Sequence, residues 1–115
     1  MATADDVRRL ALELPETAER PSYGTPGFRV KDRLFARLHQ DGSSLVLWCA
    51  GEEDKESFIL SEPEAFFTTP HYDGHPLVLV RLDAIDAARL GELLTGAWEV
   101  RAPARVRAAR EAERP

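Results

Sequence analysis

The feature that most narrows the fold is a two-residue rhythm running from Phe28 to His39. Phe28 and Val30 alternate with Arg29 and Lys31, a turn follows at about Lys31–Arg33, and Leu34, Ala36 and Leu38 then alternate with Arg33, Phe35, Arg37 and His39. Successive strand residues point to opposite faces of a sheet, so this rhythm predicts half-buried antiparallel strands. Asp41-Gly42 follows as a tight hairpin signal. Ser44–Ala50 reads as the next strand, apolar on both faces (Leu45, Leu47 and Cys49 against Val46 and Trp48) and therefore central. A short edge strand over Thr17–Pro21 and an irregular corner holding Tyr23, Gly24, Pro26 and Gly27 precede the meander.

Outside the meander the period becomes helical. Thr3 is placed to cap a helix, Asp5 and Asp6 suit its first turn, and Val7, Leu10, Ala11 and Leu14 recur on one face until Pro15. The predicted helix covers Ala4–Leu14. A second, short helix spans Lys55–Leu60 with Phe58 and Ile59 inward. A turn-rich stretch from Pro63 to His75 leads into an apolar strand at Leu77–Leu82. Asp86 caps a helix carrying Ala87, Leu90, Leu93 and Leu94, which Gly96 is expected to interrupt. Trp98 and Val100 open a last segment that Pro103 breaks before an Arg/Ala-rich helical end, 104–115, expected to fray. The order α-β-β-β(-β)-α-β-α-α defines an α+β fold, with an antiparallel sheet of about five strands and helices packed on one face. The whole of 1–115 reads as a single domain.

Composition limits the function. At 43% hydrophobic and 30% charged the chain is ordinary for a soluble globular protein. No apolar run approaches the roughly 20 residues that span a bilayer, and the N-terminal residues do not resemble a signal peptide, so a cytoplasmic monomer without membrane association is expected. Cys49 is the single cysteine, which excludes an intrachain disulfide and a Cys-rich zinc site. The net charge of −5 opposes generic attraction to phosphate, yet it is unevenly spread. Arg101, Arg105, Arg107, Arg110 and Arg114 crowd the last fifteen residues against Glu111 and Glu113.

No residue pattern points to catalysis. His71 and His75 flank Asp73, but Pro70, Gly74 and Pro76 forbid the helix that a two-histidine metal grip at this spacing needs. Ser22, Ser43, Ser44, Ser57, Ser61 and Cys49 sit beside no evident base, and the pairs Asp5/Asp6 and Glu52/Glu53 read as capping or solvated acids. No phosphate-cradling glycine loop and no dinucleotide fingerprint is present. The reading is therefore no enzyme, no cofactor and no metal. Tyr72, Asp73 and Gly74 read as a structural loop, with the Tyr72 ring on the core and its hydroxyl on a polar partner.

The hairpin leaves two arrangements open. With Leu34, Ala36 and Leu38 facing the core, Arg33, Phe35, Arg37 and His39 would line an exposed stripe beside Arg29 and Lys31, offering charge for phosphates and a ring for stacking. Alternatively Phe35 is buried and the arginines merely solvate the outer face, which spacing alone favours. A different class of reading makes the open sheet face, with Trp48, Trp98, Tyr23, Phe28 and Tyr72, a groove for a protein partner or small ligand.

Three blocks in one order, PSYGTPGFRVKDRLFARL (Pro21–Leu38), FFTTPHYDGHPLVLVRL (Phe66–Leu82) and ELLTGAWEVRAPARV (Glu92–Val106), resemble the MmcQ/YjbR family across nearly the whole chain. The resemblance implies a compact α+β, secretion-chaperone-like fold with a "double wing" proposed to contact DNA, and no enzyme activity or cofactor. It implies weak, salt-sensitive DNA binding through phosphates at Arg29, Lys31, Arg33, Arg37, Arg105 and Arg107. Trp48 stands where such proteins often carry a lysine, and Lys31-Asp32-Arg33 replaces a glycine-rich turn.

Overall fold

The computed structural model describes residues 1–113, so Arg114 of the basic tail lies outside the described residues. Helix α1 (Ala4–Leu12) leads into β1 (Thr17–Ser22), β2 (Thr25–Val30), β3 (Arg33–Leu38) and β4 (Ser44–Trp48). Helix α2 (Glu52–Ser61), β5 (Phe66–Phe67), β6 (Leu77–Arg81), α3 (Ala87–Arg101) and α4 (Ala104–Ala112) complete the chain. The strands form one six-stranded sheet in the order β1-β2-β3-β4-β6-β5, every neighbouring pair antiparallel. The sheet has one strand more than the sequence suggests, because the two residues of β5 are too few to show a period. β4 is indeed interior, paired to β3 and β6.

Local chemistry sets the element ends. Thr3 and Asp6 cap α1 reciprocally, each side chain accepting from the other's backbone N–H. Asp86 caps α3 by accepting from the Arg89 N–H. Gly96 does not interrupt α3, which runs unbroken to Arg101. A glycine within a helix costs about 1 kcal/mol relative to alanine. The buried side chains of Leu93, Leu94 and Trp98 around it each contribute about 2 kcal/mol or more, and they prevail. The Trp98 indole N–H donates to the Pro15 carbonyl at 3.0 Å, tying α3 to the end of α1. The Arg/Ala-rich end is helical through Ala112 and docks by burying Val106.

The turns depart most from expectation. The supposed irregular corner is a two-residue hairpin, Ser22 pairing with Thr25 across Tyr23 and Gly24, both at positive φ (54° and 80°). Lys31 and Asp32, at φ 48° and 67°, make a second such turn without any glycine. Its strain is offset locally. Lys31 pairs with Glu16 at 3.0 Å, Asp32 accepts from Arg20 at 2.5 Å, and Arg29 donates to the Asp32 carbonyl at 3.1 Å. The Asp41-Gly42 link is longer than a two-residue hairpin: Leu38 pairs with Leu45, and the His39 N–H bonds the Ser44 carbonyl across four residues. Within it the Asp41 carboxylate accepts from the N–H groups of Ser43 and Ser44.

A β-bulge decides which residues face where. Phe28 pairs with Ala36 but Arg29 pairs with Leu34, so Phe35 is an extra residue in β3. Phe35 and Ala36 both join the main core, with Phe28, Val30, Leu45, Leu47, Val78 and Val80 of the sheet and Leu90, Leu94 and Trp98 of α3. Leu34 shares the opposite face with Arg29. The stripe of Arg33, Phe35, Arg37 and His39 therefore does not exist: Phe35 is buried, as in the arrangement that spacing alone favours, but the alternation supposed to point Leu34 inward is broken by one residue. Of the aromatics expected to form a groove, Trp98 and Phe28 are also core residues, which leaves Trp48, Tyr23 and Tyr72 on the outer face.

Beneath Leu34, Gly27 permits a close approach. A Cβ there would lie 2.9 Å from the Ser22 Cβ and 3.0 Å from the Arg20 carbonyl oxygen. Gly27→Ala should lower stability by about 1–3 kcal/mol through overpacking. Gly96→Ala, with nothing within 4 Å of the added methyl, should raise it by about 0.5–1 kcal/mol; thermal melts read both. A second outcome concerns acid. Burial pushes the Asp41 carboxyl up, but the Ser43 and Ser44 bonds outweigh it and hold it at about 2, below its ordinary 3.8. A folded-state value below the unfolded one stabilises above that range and is lost as protons bind. Wild-type stability should thus decline between about pH 4 and pH 2, and the decline should be shallower in Asp41→Asn.

Candidate functional site

One face of the sheet is closed by helices. The other is partly covered by the turn Pro70–Tyr72 and is otherwise open. Tyr72, Val46 and Leu79 form a small second cluster there, with Phe67 and Leu77 against it. The covering loop is built by proline and glycine: Pro70 starts a 3-10 turn, and Asp73 (φ −60°, ψ 135°) and Gly74 (φ 79°) make a type II turn closed by the His75 N–H on the Tyr72 carbonyl. Lys55 of α2 reaches under the loop and donates to the carbonyls of Tyr72 (2.6 Å) and His75 (3.1 Å). Tyr72 is 5% exposed. Its ring packs on the outer cluster rather than on the main core, and its hydroxyl accepts from Arg37. The Asp73 side chain makes none of the described backbone bonds, so the loop depends on Lys55, which the sequence reading left unassigned.

Two adjoining hollows occupy the open area. One is rimmed by Arg29, Arg33 and Arg101 with Ser22, Asp32, Tyr23 and Trp48. The other, about 630 Å3, runs from Tyr23, Leu34 and Trp48 to Arg37 and the Tyr72 turn. Arg101 reaches back from the end of α3, donating to the Leu34 carbonyl at 2.9 Å and lying 5.1 Å from the centre of the Trp48 ring. Burial, and the neighbouring charge of Arg33, lower the Arg101 pKa, as expected where guanidinium groups gather without matching acids. Asp32 is the acid on this rim, and its carboxylate is bonded to Arg20.

The residues named from sequence are thus only partly assembled. Arg29 and Arg33 meet at the first hollow, and Arg33 also donates to the Arg101 carbonyl at 3.3 Å. Lys31 points its ammonium at Glu16 in the turn. Arg37 is not exposed but buried under Tyr72. Arg105 and Arg107 lie on α4, away from both hollows, and Arg107 satisfies the carbonyls of Glu99 and Ala102 at the end of α3. Arg101 is the site residue that sequence reasoning did not select, whereas Trp48 and Tyr23 entered it only as part of a groove for a protein partner or small ligand. Arg101 was visible only as one of a basic tail, and its place depends on contacts 67 residues distant.

Other chemistry-bearing groups are elsewhere. His71 packs edge-on to Tyr72, and among the described residues no group of three or more His, Cys, Asp or Glu is placed to hold a metal ion. Cys49 lines a hollow of about 190 Å3 between α2 and α3, where burial pushes its thiol up to about 11 and keeps it neutral. No helix among the described residues is long and apolar enough to cross a membrane.

Comparison with known proteins gives this arrangement a lineage. The family model described as YjbR matches residues 12–100. The chain belongs to the YjbR family. The uncharacterised proteins Rv2570 of Mycobacterium tuberculosis and Mb2600 of Mycobacterium bovis are each 39% identical to it over 120 residues, covering 90% of this chain and 91% of theirs. The crystal structure of Deinococcus radiodurans protein DR2400, of the family DUF419, matches with a TM-score of 0.68 at 30% identity, over 85% of this chain and 77% of that one. The α+β architecture of the described residues, a six-stranded antiparallel sheet with four α-helices, is thus similar to that of this YjbR-like structure.

In this YjbR chain the Tyr72 turn should be the most mutation-sensitive part of the open face. Tyr72→Ala removes a buried ring and should cost about 3 kcal/mol. Tyr72→Phe keeps the ring but withdraws an acceptor from Arg37 and should cost about 1–2 kcal/mol. His71→Ala and His75→Ala, both exposed, should each stay within about 0.5 kcal/mol of wild type. Urea denaturation of the four variants separates these magnitudes.

Proposed function

We propose that the protein is a non-catalytic nucleic-acid-binding module that takes single-stranded DNA across the open sheet face. The supporting observation is the rim of Arg29, Arg33 and Arg101 around the half-exposed Trp48. Guanidinium forks bind phosphate oxygens in pairs, and an aromatic ring on a sheet gives an unpaired base a stacking surface. Arg101 already lies against Trp48, so a base placed there would meet cation and ring together. Tyr23, 79% exposed at the tip of the β1–β2 hairpin, offers a second ring. Among the described residues no α-helix other than the end of α3 borders these hollows, which favours a splayed single strand over a duplex groove. The four arginines that border the two hollows share them with one acid, Asp32, which accounts for phosphate affinity in a chain of net charge −5.

Binding through three phosphates should give a slope of log affinity against log salt of about −2, or about 20-fold weaker binding at 200 mM than at 50 mM salt. Arg29→Ala with Arg33→Ala should flatten that slope by about 1.4. Trp48→Ala should weaken binding by about 1–3 kcal/mol with the slope unchanged. Fluorescence anisotropy of a labelled oligonucleotide provides both numbers. An absence of binding at tens of micromolar protein in low salt would refute the proposal.

A further inference from the structure

The second hollow poses a separate problem of charge. Arg37 is 6% exposed. Its guanidinium donates to the Tyr72 hydroxyl (2.5 Å), the Gln40 amide oxygen (3.2 Å), the Thr25 hydroxyl (3.3 Å) and the Leu38 carbonyl (3.3 Å). Every one of these acceptors is neutral. Among the described residues no carboxylate pairs with Arg37, and the residues lining this hollow include no Asp or Glu. A guanidinium removed from water keeps its charge, and hydrogen bonds to neutral oxygens satisfy its donors without cancelling that charge. The nearest acid in the adjoining loop, Asp41, is committed to the N–H groups of Ser43 and Ser44 and to His39 at 3.2 Å. In a chain with twenty acids, a buried cation facing an acid-free hollow favours an anion from outside.

The surroundings narrow which anion. His71, His75 and Thr69 line the hollow on the side of the Tyr72 turn and carry further donors. The rest of the lining is apolar: Val46 and Leu77 lie against Tyr72, and Leu34 and the Trp48 ring continue from them to the adjoining hollow. At about 630 Å3 the space falls in the range of small-molecule sites. The donors suit a compact head with several acceptor oxygens, and the Trp48 ring suits a flat ring system.

We propose that this hollow binds a phosphate monoester carried on a nucleoside, the phosphate at Arg37, His71 and Thr69 and the base against Trp48. Three strong acceptor oxygens and a charge near −2 match a guanidinium with imidazole and hydroxyl donors better than a carboxylate does. The inference rests on the nucleic-acid reading only for the choice of a base as the flat ring; the anion site stands on Arg37. A free nucleotide and the phosphorylated 5′ end of a strand present the same chemistry.

Isothermal titration calorimetry of the full chain with adenosine 5′-monophosphate, adenosine and inorganic phosphate tests it. The monophosphate should bind about tenfold or more tightly than either fragment, equivalent to 1.4 kcal/mol. His71→Ala with His75→Ala, exposed changes that leave the core intact, should weaken it about fivefold or more with the melting temperature unchanged. Arg37→Gln should weaken it further, and its melting curve shows whether the variant is folded. Oligonucleotides with 5′-phosphate and 5′-hydroxyl ends separate the sources: a preference for the phosphorylated end identifies a strand terminus, equal binding a free nucleotide. The Arg29→Ala, Arg33→Ala variant distinguishes the two readings, since it should lose strand affinity and keep monophosphate affinity. Monophosphate binding that fails up to millimolar concentration, or survives the double histidine change intact, overturns the site even if strands bind. Monophosphate binding without strand binding overturns the nucleic-acid function and leaves the site standing.

Discussion

One extra residue in β3 organises the molecule. In a regular hairpin Leu34, Ala36 and Leu38 would share a face, and Phe35 would stand with Arg37 on the other. The bulge lets Phe35 and Ala36 both enter the core while Leu34 turns to the open face beside Arg29. Phe35 is among the largest fully buried side chains, so the inward turn is worth about 2–3 kcal/mol of apolar burial. A one-residue change of register exchanges every side chain between faces, and the bulge confines that exchange to one end of the strand. Arg37 stays on the outer face, opposite Val46, where Tyr72 closes over it.

The two faces are consequently held by different forces. On the helical face, burial dominates: α1, α3 and α4 contribute Val7, Ala11, Leu90, Leu94, Trp98 and Val106 to one apolar core. On the open face, polar groups set the geometry. Lys55 fixes the backbone of the Tyr72 turn, Arg37 fixes its ring, and Arg101 ties α3 to β3 through the Leu34 carbonyl. Such bonds contribute about 1 kcal/mol each in net terms but are costly to break once buried. They specify a shape more than they stabilise a fold.

What was legible in the sequence is what local physics controls. Alternation located β2 and β3, an apolar run after Asp41-Gly42 located β4, Thr3 and Asp86 marked two helix starts, and the Leu90, Leu93, Leu94 face of α3 followed from its spacing. The bulge was not legible, because Arg33–Leu38 reads as regular alternation and only the burial of Phe35 in the main core selects the irregular form. Lys31-Asp32 carries no glycine to announce a left-handed turn; its stability depends on Glu16, Arg20 and Arg29, which tertiary pairing brings near. Gly96 looked like a stop since propensity alone counts against it. In the candidate site, Arg29 and Arg33 were readable from the hairpin. Arg101 was not, because its partner, the Leu34 carbonyl, lies 67 residues away along the chain.

The outermost strands bear on how copies of this chain meet. A sheet edge invites a further strand when it offers a long, flat row of unpaired backbone groups. Here β5 has two residues, and β1 carries Pro21, which has no N–H, with Glu19 and Arg20 held by Arg8 and Asp32. Neither margin is a good template for ribbon-like growth, so edge-to-edge stacking into fibres is disfavoured by construction. Crowding the protein to high concentration should therefore tax its solubility through the aromatic open face before it recruits either rim of the sheet.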